Sequence, residues 1–288
     1  MGLGSVDIEV RYIEIFRSLF LKRPTTLIGL ILVLVILLCA VFAGILTAST
    51  PHEINVDSRL LAPNSNNLMG TDEFGRDVFT RVLYGARNTL FVALFVVVLA
   101  VGLGLLFGLI AGYYPKLDSP VMRVMDGLMA FPGIILAIAM MGAMGPSILN
   151  VIVALGIVYT PRVTRVVRSY ILSLRESQFV EAARSIGTTS FGIVFEHILP
   201  NCISPLIVQA SFIFSYAILG ETALSFLGVG VPVSLPSWGN ILSEGRVYMQ
   251  VAPWLTLFPG LAIMIMVLGL NIIGDGLRDY LDPRMKGK

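Results

Sequence analysis

Residues 178–201 read QFVEAARSIGTTSFGIVFEHILPN, a polar, helix-forming island between two long apolar runs. Arg162, Arg165, Arg168 and Arg175 lead into it and Arg184 lies inside it. Where the flanking runs are apolar enough for lipid, an island of this kind stays outside the bilayer. Its local chemistry also predicts a shape. Ser177 is placed to cap a helix start with its side-chain oxygen. Phe179 to Ser185 then make about two turns, with Glu181 in the early turns where the helix dipole favours an anion. Gly187 can close them in the left-handed conformation that glycine adopts cheaply. Ala182 and Ala183 leave the backbone unobstructed, so that the groove of another protein could close on it. Phe191, Phe195 and Ile198 recur at helical spacing and give a second short helix an apolar face, which Pro200 is expected to end.

Composition says what surrounds the island. Of 288 residues, 56% are hydrophobic and only 13% charged, with a mean hydropathy of +0.86. Soluble domains carry about 25% charged residues, so this chain takes the bilayer as its solvent. The net charge of +2 says little about partners, and no nucleic acid is expected among them. Cys39 lies in an apolar run and Cys202 beside the island, at different depths, so both read as small packing residues and not as a disulfide or metal pair. The apolar run from Thr25 to Thr47 exceeds the 7–15 residues of a signal h-region. Leu38 before Cys39 also spoils a lipoprotein cleavage site, so the run reads as a retained helix.

A bilayer-crossing helix needs about 20 apolar residues. The uncharged runs place spans near 25–48, 88–112, 122–142, 147–167, 203–227 and 252–276, with Gly142, Gly145 and Pro146 turning the chain between the third and fourth. The expectation is an all-α membrane protein with six transmembrane helices. β-Barrel alternation is absent. Lys and Arg favour the cytoplasmic side. Arg11, Arg17, Lys22 and Arg23 precede the first span, Lys116 and Arg123 flank the link between the second and third, and Arg278, Arg284, Lys286 and Lys288 end the chain. Both termini are therefore read as cytoplasmic, and so is the island. The resulting division is a cytoplasmic segment 1–24, a first span 25–48, an extracytoplasmic segment 49–87, a five-helix core 88–276 containing the cytoplasmic loop 168–202, and a cytoplasmic tail 277–288.

Two segments fall on the far side from the island. In the first, Asp77 and Arg81 stand at i,i+4 and are expected to share a helix face. In the second, from Gly228 to Gln250, an amphipathic stretch carries Glu244 and Arg246, and Trp238 and Tyr248 are placed as interfacial anchors would be.

At three places the residues resemble one known family. Glu181-Ala182-Ala183, three residues, Gly187, and then Leu199-Pro200 is similar to the cytoplasmic loop of permease subunits in bacterial ABC importers, here with His197 where the general pattern has isoleucine. Met69-Gly70-Thr71-Asp72-Glu73-Phe74-Gly75-Arg76-Asp77 with Tyr84-Gly85-Ala86-Arg87 resembles the dipeptide/oligopeptide branch, as does Glu221-Thr222-Ala223-Leu224-Ser225-Phe226-Leu227-Gly228 followed by Trp238-Gly239. Nearly the whole chain resembles the second, C-type permease of such a system. That resemblance implies a type I ABC importer permease fold in a bacterial or archaeal cytoplasmic (inner) membrane. It also implies a second permease, two ATP-binding subunits and an extracytoplasmic solute-binding protein as partners. Glu181, Ala182, Ala183, Gly187, Leu199 and Pro200 would then form the coupling element that receives ATPase motion. Close relatives of this type also serve nickel chelates or oligosaccharides.

Other residues invite sharper readings. Glu221 at membrane depth could line a pathway, although its closeness to Gly228 favours a structural role. Pro132-Gly133 should kink the third span, and a kink can serve as a gate. Met122, Met125 and Met129, with Met140, Met141 and Met144 beyond, could hold a soft metal but read better as gap fillers, so no metal is expected. His197 reads as an ordinary contact residue. An ion-coupled carrier would show repeats and more intramembrane ionisable groups. A membrane-embedded enzyme would need a catalytic constellation that His52 and His197 cannot build. There is no phosphate-binding loop, so no cofactor is expected on this chain, and ATP and Mg would belong to partner subunits.

Overall fold

Peptide groups in lipid have to be satisfied within the chain, and the computed structural model, which describes residues 24–281, does this almost entirely with helices. In chain order they are α1 (Pro24–Val41, prolonged by a turn at Ala43–Leu46), α2 (Val78–Tyr113), α3 (Pro115–Met129), α4 (Gly133–Met144) and α5 (Ile148–Arg175). There follow α6 (Gln178–Ser185), α7 (Leu199–Phe226), α8 (Trp238–Gly245) and α9 (Trp254–Leu281). Among the described residues, α1, α2, α5, α7 with the turns leading into it, and α9 are long and apolar enough to cross a membrane. The bent pair α3–α4 makes a sixth if counted as one span. The arginines and lysines at residues 11–23 and 284–288, which carry part of the orientation argument, lie outside the described residues.

The bundle is built around α2 and α5, the most extensively packed pair. Gly104, Gly108 and Gly112 form a stripe along α2 that lets α5 approach closely. A Cβ added at Gly108 would stand 2.5 Å from Val167 Cβ, and one at Gly112 would stand 2.7 Å from Ile171 Cβ. Small residues at every fourth position are what close helix packing in lipid requires, because burial from water drives nothing there. One buried cluster, including Val92, Leu155, Ile218, Trp238 and Leu255, fills the half of the bundle near α8. A second, with Val163, Val167, Ile171, Val180, Ile193 and Ile198, lies beneath the island. Ile28, Ile31, Val35 and Leu38 of α1 point outward, an apolar face suited to lipid.

Several boundaries differ from those expected, each for a physical reason. The second span was expected to begin near 88, but α2 starts at Val78 and runs for 36 residues, about 54 Å at 1.5 Å per residue. Arg81 and Arg87 do not stop it because both find partners: Arg87 donates from Nε to Ala40 O and from Nη2 to Val41 O, each at 2.5 Å. Asp77 does not pair with Arg81 along a helix face. It caps α2 by accepting from the Thr80 N–H at 2.8 Å, and Arg81 turns to other carboxylates. The expected single third span is two helices bent by 88° at the break before Gly133, a sharper change than a kink. Pro132 stands at the N-cap of α4, where its missing N–H costs nothing. Trp238 is no interfacial anchor: it is fully buried and donates its indole N–H to Val82 O at 3.1 Å. Tyr248 is half-buried against the first cluster.

Candidate functional site

The island folds locally much as its residues dictate, with two exceptions. Gly187 has φ +85°, a region closed to most side chains, and Thr188 N–H donates to Ala183 O at 3.0 Å to close the end of α6. Ser177 occupies the N-cap, yet its hydroxyl donates backward to Leu174 O at 2.5 Å instead of accepting from α6. Nor does Pro200 end a helix. Ser190–Gly192 passes through a π-helical turn, Ile193–Ile198, directly into α7, with Pro200 in its first turn. A wide π turn accommodates the ring and the absent N–H that would break a regular helix.

The orientation of α6 sorts the candidate residues. Val180 and Ala183 face the cluster beneath, while Glu181 and Ala182 are exposed, so only one alanine of the pair lies open. Gly187 and Pro200 are exposed and Leu199 is half-buried. The apolar face expected of Phe191, Phe195 and Ile198 divides: Ile198 is buried, whereas Phe191 and Phe195 are exposed with ring centroids 4.3 Å apart. Ile186 is 84% exposed. Phe179 lies 6.3 Å from the His197 ring. The outer surface of the island thus combines a carboxylate with Ile186 and two open aromatic rings.

At the opposite end stands a knot of charge that the sequence reading did not assemble. Arg81 Nη1 donates to Asp72 Oδ2 and to Glu244 Oε2, both at 2.6 Å. Arg76 adds Nε to Asp72 Oδ2 at 2.6 Å and Nη2 to Glu244 Oε2 at 2.9 Å. Glu73 completes the group, its Oε1 3.7 Å from Arg76 Nη2. The motif Met69–Asp77 is thereby clamped onto α8, and the two guanidiniums fill the space between three carboxylates that lie close enough together to hold a cation. Burial, reinforced by Asp72 and Glu244, pushes the Glu73 carboxyl above its usual range. Sequence spacing could have linked Arg76 to Asp72, but nothing local pointed to Glu244.

Glu221 is fully buried. Its Oε1 accepts from Ser225 Oγ at 2.7 Å, and that oxygen accepts in turn from Val231 N–H at 3.1 Å, with the Thr89 and Ser237 hydroxyls beside the carboxylate. Pro132 sits at the break and not beside Glu221, so these two candidates occupy separate places. Met125 and Met141 are buried packing residues, while Met129 and Met144 are exposed. Cys39 and Cys202 are both free thiols, the latter buried.

This fold defines a polytopic α-helical membrane protein in which a short helix, α6, lies between two of the long apolar ones. Residues 104–287 match the family of binding-protein-dependent transport system inner membrane components, and residues 12–63 match the N-terminal TM domain of oligopeptide transport permease C. The dipeptide transport system permease protein DppC of Alkalihalophilus pseudofirmus is 48% identical over 274 residues, covering 95% of this chain and 90% of that protein. The di/tripeptide transport system permease protein DppC of Pseudomonas aeruginosa is 40% identical over 278 residues, covering 94% and 92%. Among solved structures, the inward-facing MetNI methionine ABC transporter aligns with a TM-score of 0.59 at 19% identity, over 69% of this chain and 96% of that one, and so shares the fold. The chain belongs to the binding-protein-dependent transport permease family.

Proposed function

We propose that this chain is one of two permease subunits forming the pathway of an ATP-driven importer for dipeptides or oligopeptides. It crosses the membrane six times, α3–α4 counting as one span, with both termini and the island in the cytoplasm and residues 49–87 outside. Two ATP-binding subunits grip the island, a second permease completes the pathway, and an extracytoplasmic binding protein delivers the solute. Catalysis of ATP hydrolysis, with its ATP and Mg, belongs to those ATP-binding partners and not to this chain.

The observation that carries the reading is α6 itself: a short helix, closed by Gly187, that exposes Glu181 and Ala182 between two membrane-crossing helices. Seated on Val180 and Ala183, it is fixed to α5 and to the start of α7, so a partner that moves α6 moves both spans. In energetic terms, ATP binding in the partners is converted into movement through differential binding to two states of the island. The names of the relatives support peptides as cargo.

In the reconstituted complex, peptide-stimulated ATPase across a panel of peptides and sugars tests the cargo class. Glu181→Lys tests the coupling: uptake is expected to fall about tenfold or more, with the complex still assembled and its ATPase no longer stimulated by solute. Normal stimulation and uptake in that variant would sink the assignment. Glu221 is given a structural role, tying α7 to the loop before α8. Glu221→Gln keeps an acceptor for Ser225 and is expected to leave uptake per assembled complex unchanged. Glu221→Leu leaves the surrounding hydroxyls without their acceptor, at a cost of about 1–3 kcal/mol in thermal unfolding. Loss of uptake by the glutamine variant at normal assembly would place Glu221 in the pathway instead.

A further inference from the structure

Arg162 stands halfway along α5, a membrane-crossing helix. The next arginines on that helix are both answered by carboxylates of α3. Arg165 Nη2 donates to Asp126 Oδ1 at 2.7 Å, and Arg168 donates to Asp118 through Nε at 2.5 Å and Nη2 at 2.6 Å. Among the described residues Arg162 has no carboxylate partner. Its guanidinium lies over the Tyr216 ring of α7, 4.7 Å from the centroid, and the residue is exposed. An ionised side chain within a bilayer-crossing helix is costly where it meets lipid, so it belongs beside water or an anion.

A cavity of about 310 Å³ opens at this arginine, between the α3–α4 break and the facing sides of α5 and α7. Phe131 and Gly133 wall it from the break, Val158 and Tyr159 from α5, and Tyr216 from α7. The Tyr159 hydroxyl donates to Tyr216 O at 2.9 Å, which holds the two helices in register at the wall. A neighbouring cavity along α3, walled by Leu103, Phe107, Val124 and Leu128, has no charged residue in its lining. The ring beneath the planar fork of Arg162 carries no net negative charge. The N–H donors of that fork therefore stay available to a planar, bidentate acceptor, for which arginine is the matched residue.

We infer that this cavity is a carboxylate-accepting subsite of the transport pathway, in which Arg162 takes the free α-carboxylate of a passing peptide. The cargo class rests on the proposed function above; the anion site itself does not. Arg162 and Tyr216 both line the cavity, and the break at Pro132 makes room for the peptide beside them.

The test places a single cysteine in the cavity wall, Val158→Cys, in a chain with Cys39→Ala and Cys202→Ala, assembled with its partner subunits in nanodiscs. Methanethiosulfonate reagents bearing an ethylsulfonate or an ethyltrimethylammonium group then report the local charge, each rate normalised to a free thiol in solution. The anionic reagent is expected to be favoured about tenfold, a preference lost in Arg162→Gln and kept in Arg162→Lys. Trialanine should slow the modification and trialanine amide should not. A reagent ratio near unity with the native arginine overturns the inference, even where Arg162→Gln fails to assemble. So does a Val158→Cys thiol that is unmodified in every nucleotide state. Import of trialanine without any protection overturns the carboxylate subsite. If trialanine is not imported at all while the reagent preference still follows Arg162, the proposed cargo fails and the anion site stands.

Discussion

Gly108→Leu is expected to abolish the folded bundle, and Gly102→Leu, on the same helix, to leave it intact. At Gly108 even a Cβ would stand 2.5 Å from Val167 Cβ, and Thr164 O is 3.1 Å away. The obstruction is a β-branched side chain and a helix backbone, neither of which can swing aside. At Gly102 nothing lies within 4 Å of an added Cβ. Overpacking typically costs 1–3 kcal/mol and occasionally more; a leucine wedged into the tightest helix pair should reach about 3 kcal/mol or beyond. Membranes expressing each variant can be extracted in mild detergent and analysed by size exclusion and thermal unfolding. Gly108→Leu should give little monodisperse protein. Equal recovery and equal melting of the two variants would show that the α2–α5 contact does not hold the bundle together.

That contact shows where a sequence reading stops. Small residues at 104, 108 and 112 are visible in the sequence, but the helix they receive is not, because α5 begins dozens of residues later and presents Val163, Val167 and Ile171 only once folded. Features governed by local chemistry were legible: the closing glycine at 187, the turn at Gly145, and a bend at Pro132, though as a kink within one helix and not as a break between two. Its angle of 88° was not, since packing of α4 against α5 sets it. Charge misled in the same way. Arg81 and Arg87 looked like the edge of a span because a lone arginine is excluded from lipid. Their partners, Glu244 and the carbonyls of Ala40 and Val41, come from other parts of the chain. Trp238 shows the converse error: an amphipathic ring reads as an anchor until a buried carbonyl, Val82 O, is found to take its N–H. Of the island, the helix and its closing glycine followed from residue types, whereas the backward bond of Ser177, the inward turn of Ala183 and the outward turn of Phe191 depended on the fold around them.

The same nonlocal knot yields the second large effect. Arg81→Met should destabilise the chain by about 3–5 kcal/mol, the usual result of removing one member of a buried ionic group. Arg81 is 3% exposed and Asp72 1%, so water cannot replace the missing cation. Arg76 remains, but one guanidinium cannot neutralise Asp72, Glu244 and Glu73 together. Glu73→Gln should act in the opposite direction, and with a sign that pH reveals. Burial raises the Glu73 carboxyl above 4.5, so the folded chain holds that proton more tightly than the unfolded chain does. The stability contributed by the protonated form is fully present below pH 4.5 and is lost as pH rises through the folded value. Glutamine keeps the neutral form at every pH. The difference in melting temperature between Glu73→Gln and the native chain should therefore be small at pH 4.5 and grow in favour of the variant toward pH 8. A difference that is flat across this range, or that shrinks, would mean that Arg76 already compensates Glu73. In Arg81→Met, acid should restore part of the lost stability, because protons then take the place of the absent guanidinium among the carboxylates. A loss in that variant that does not depend on pH would trace the damage to packing around Arg81 and not to charge.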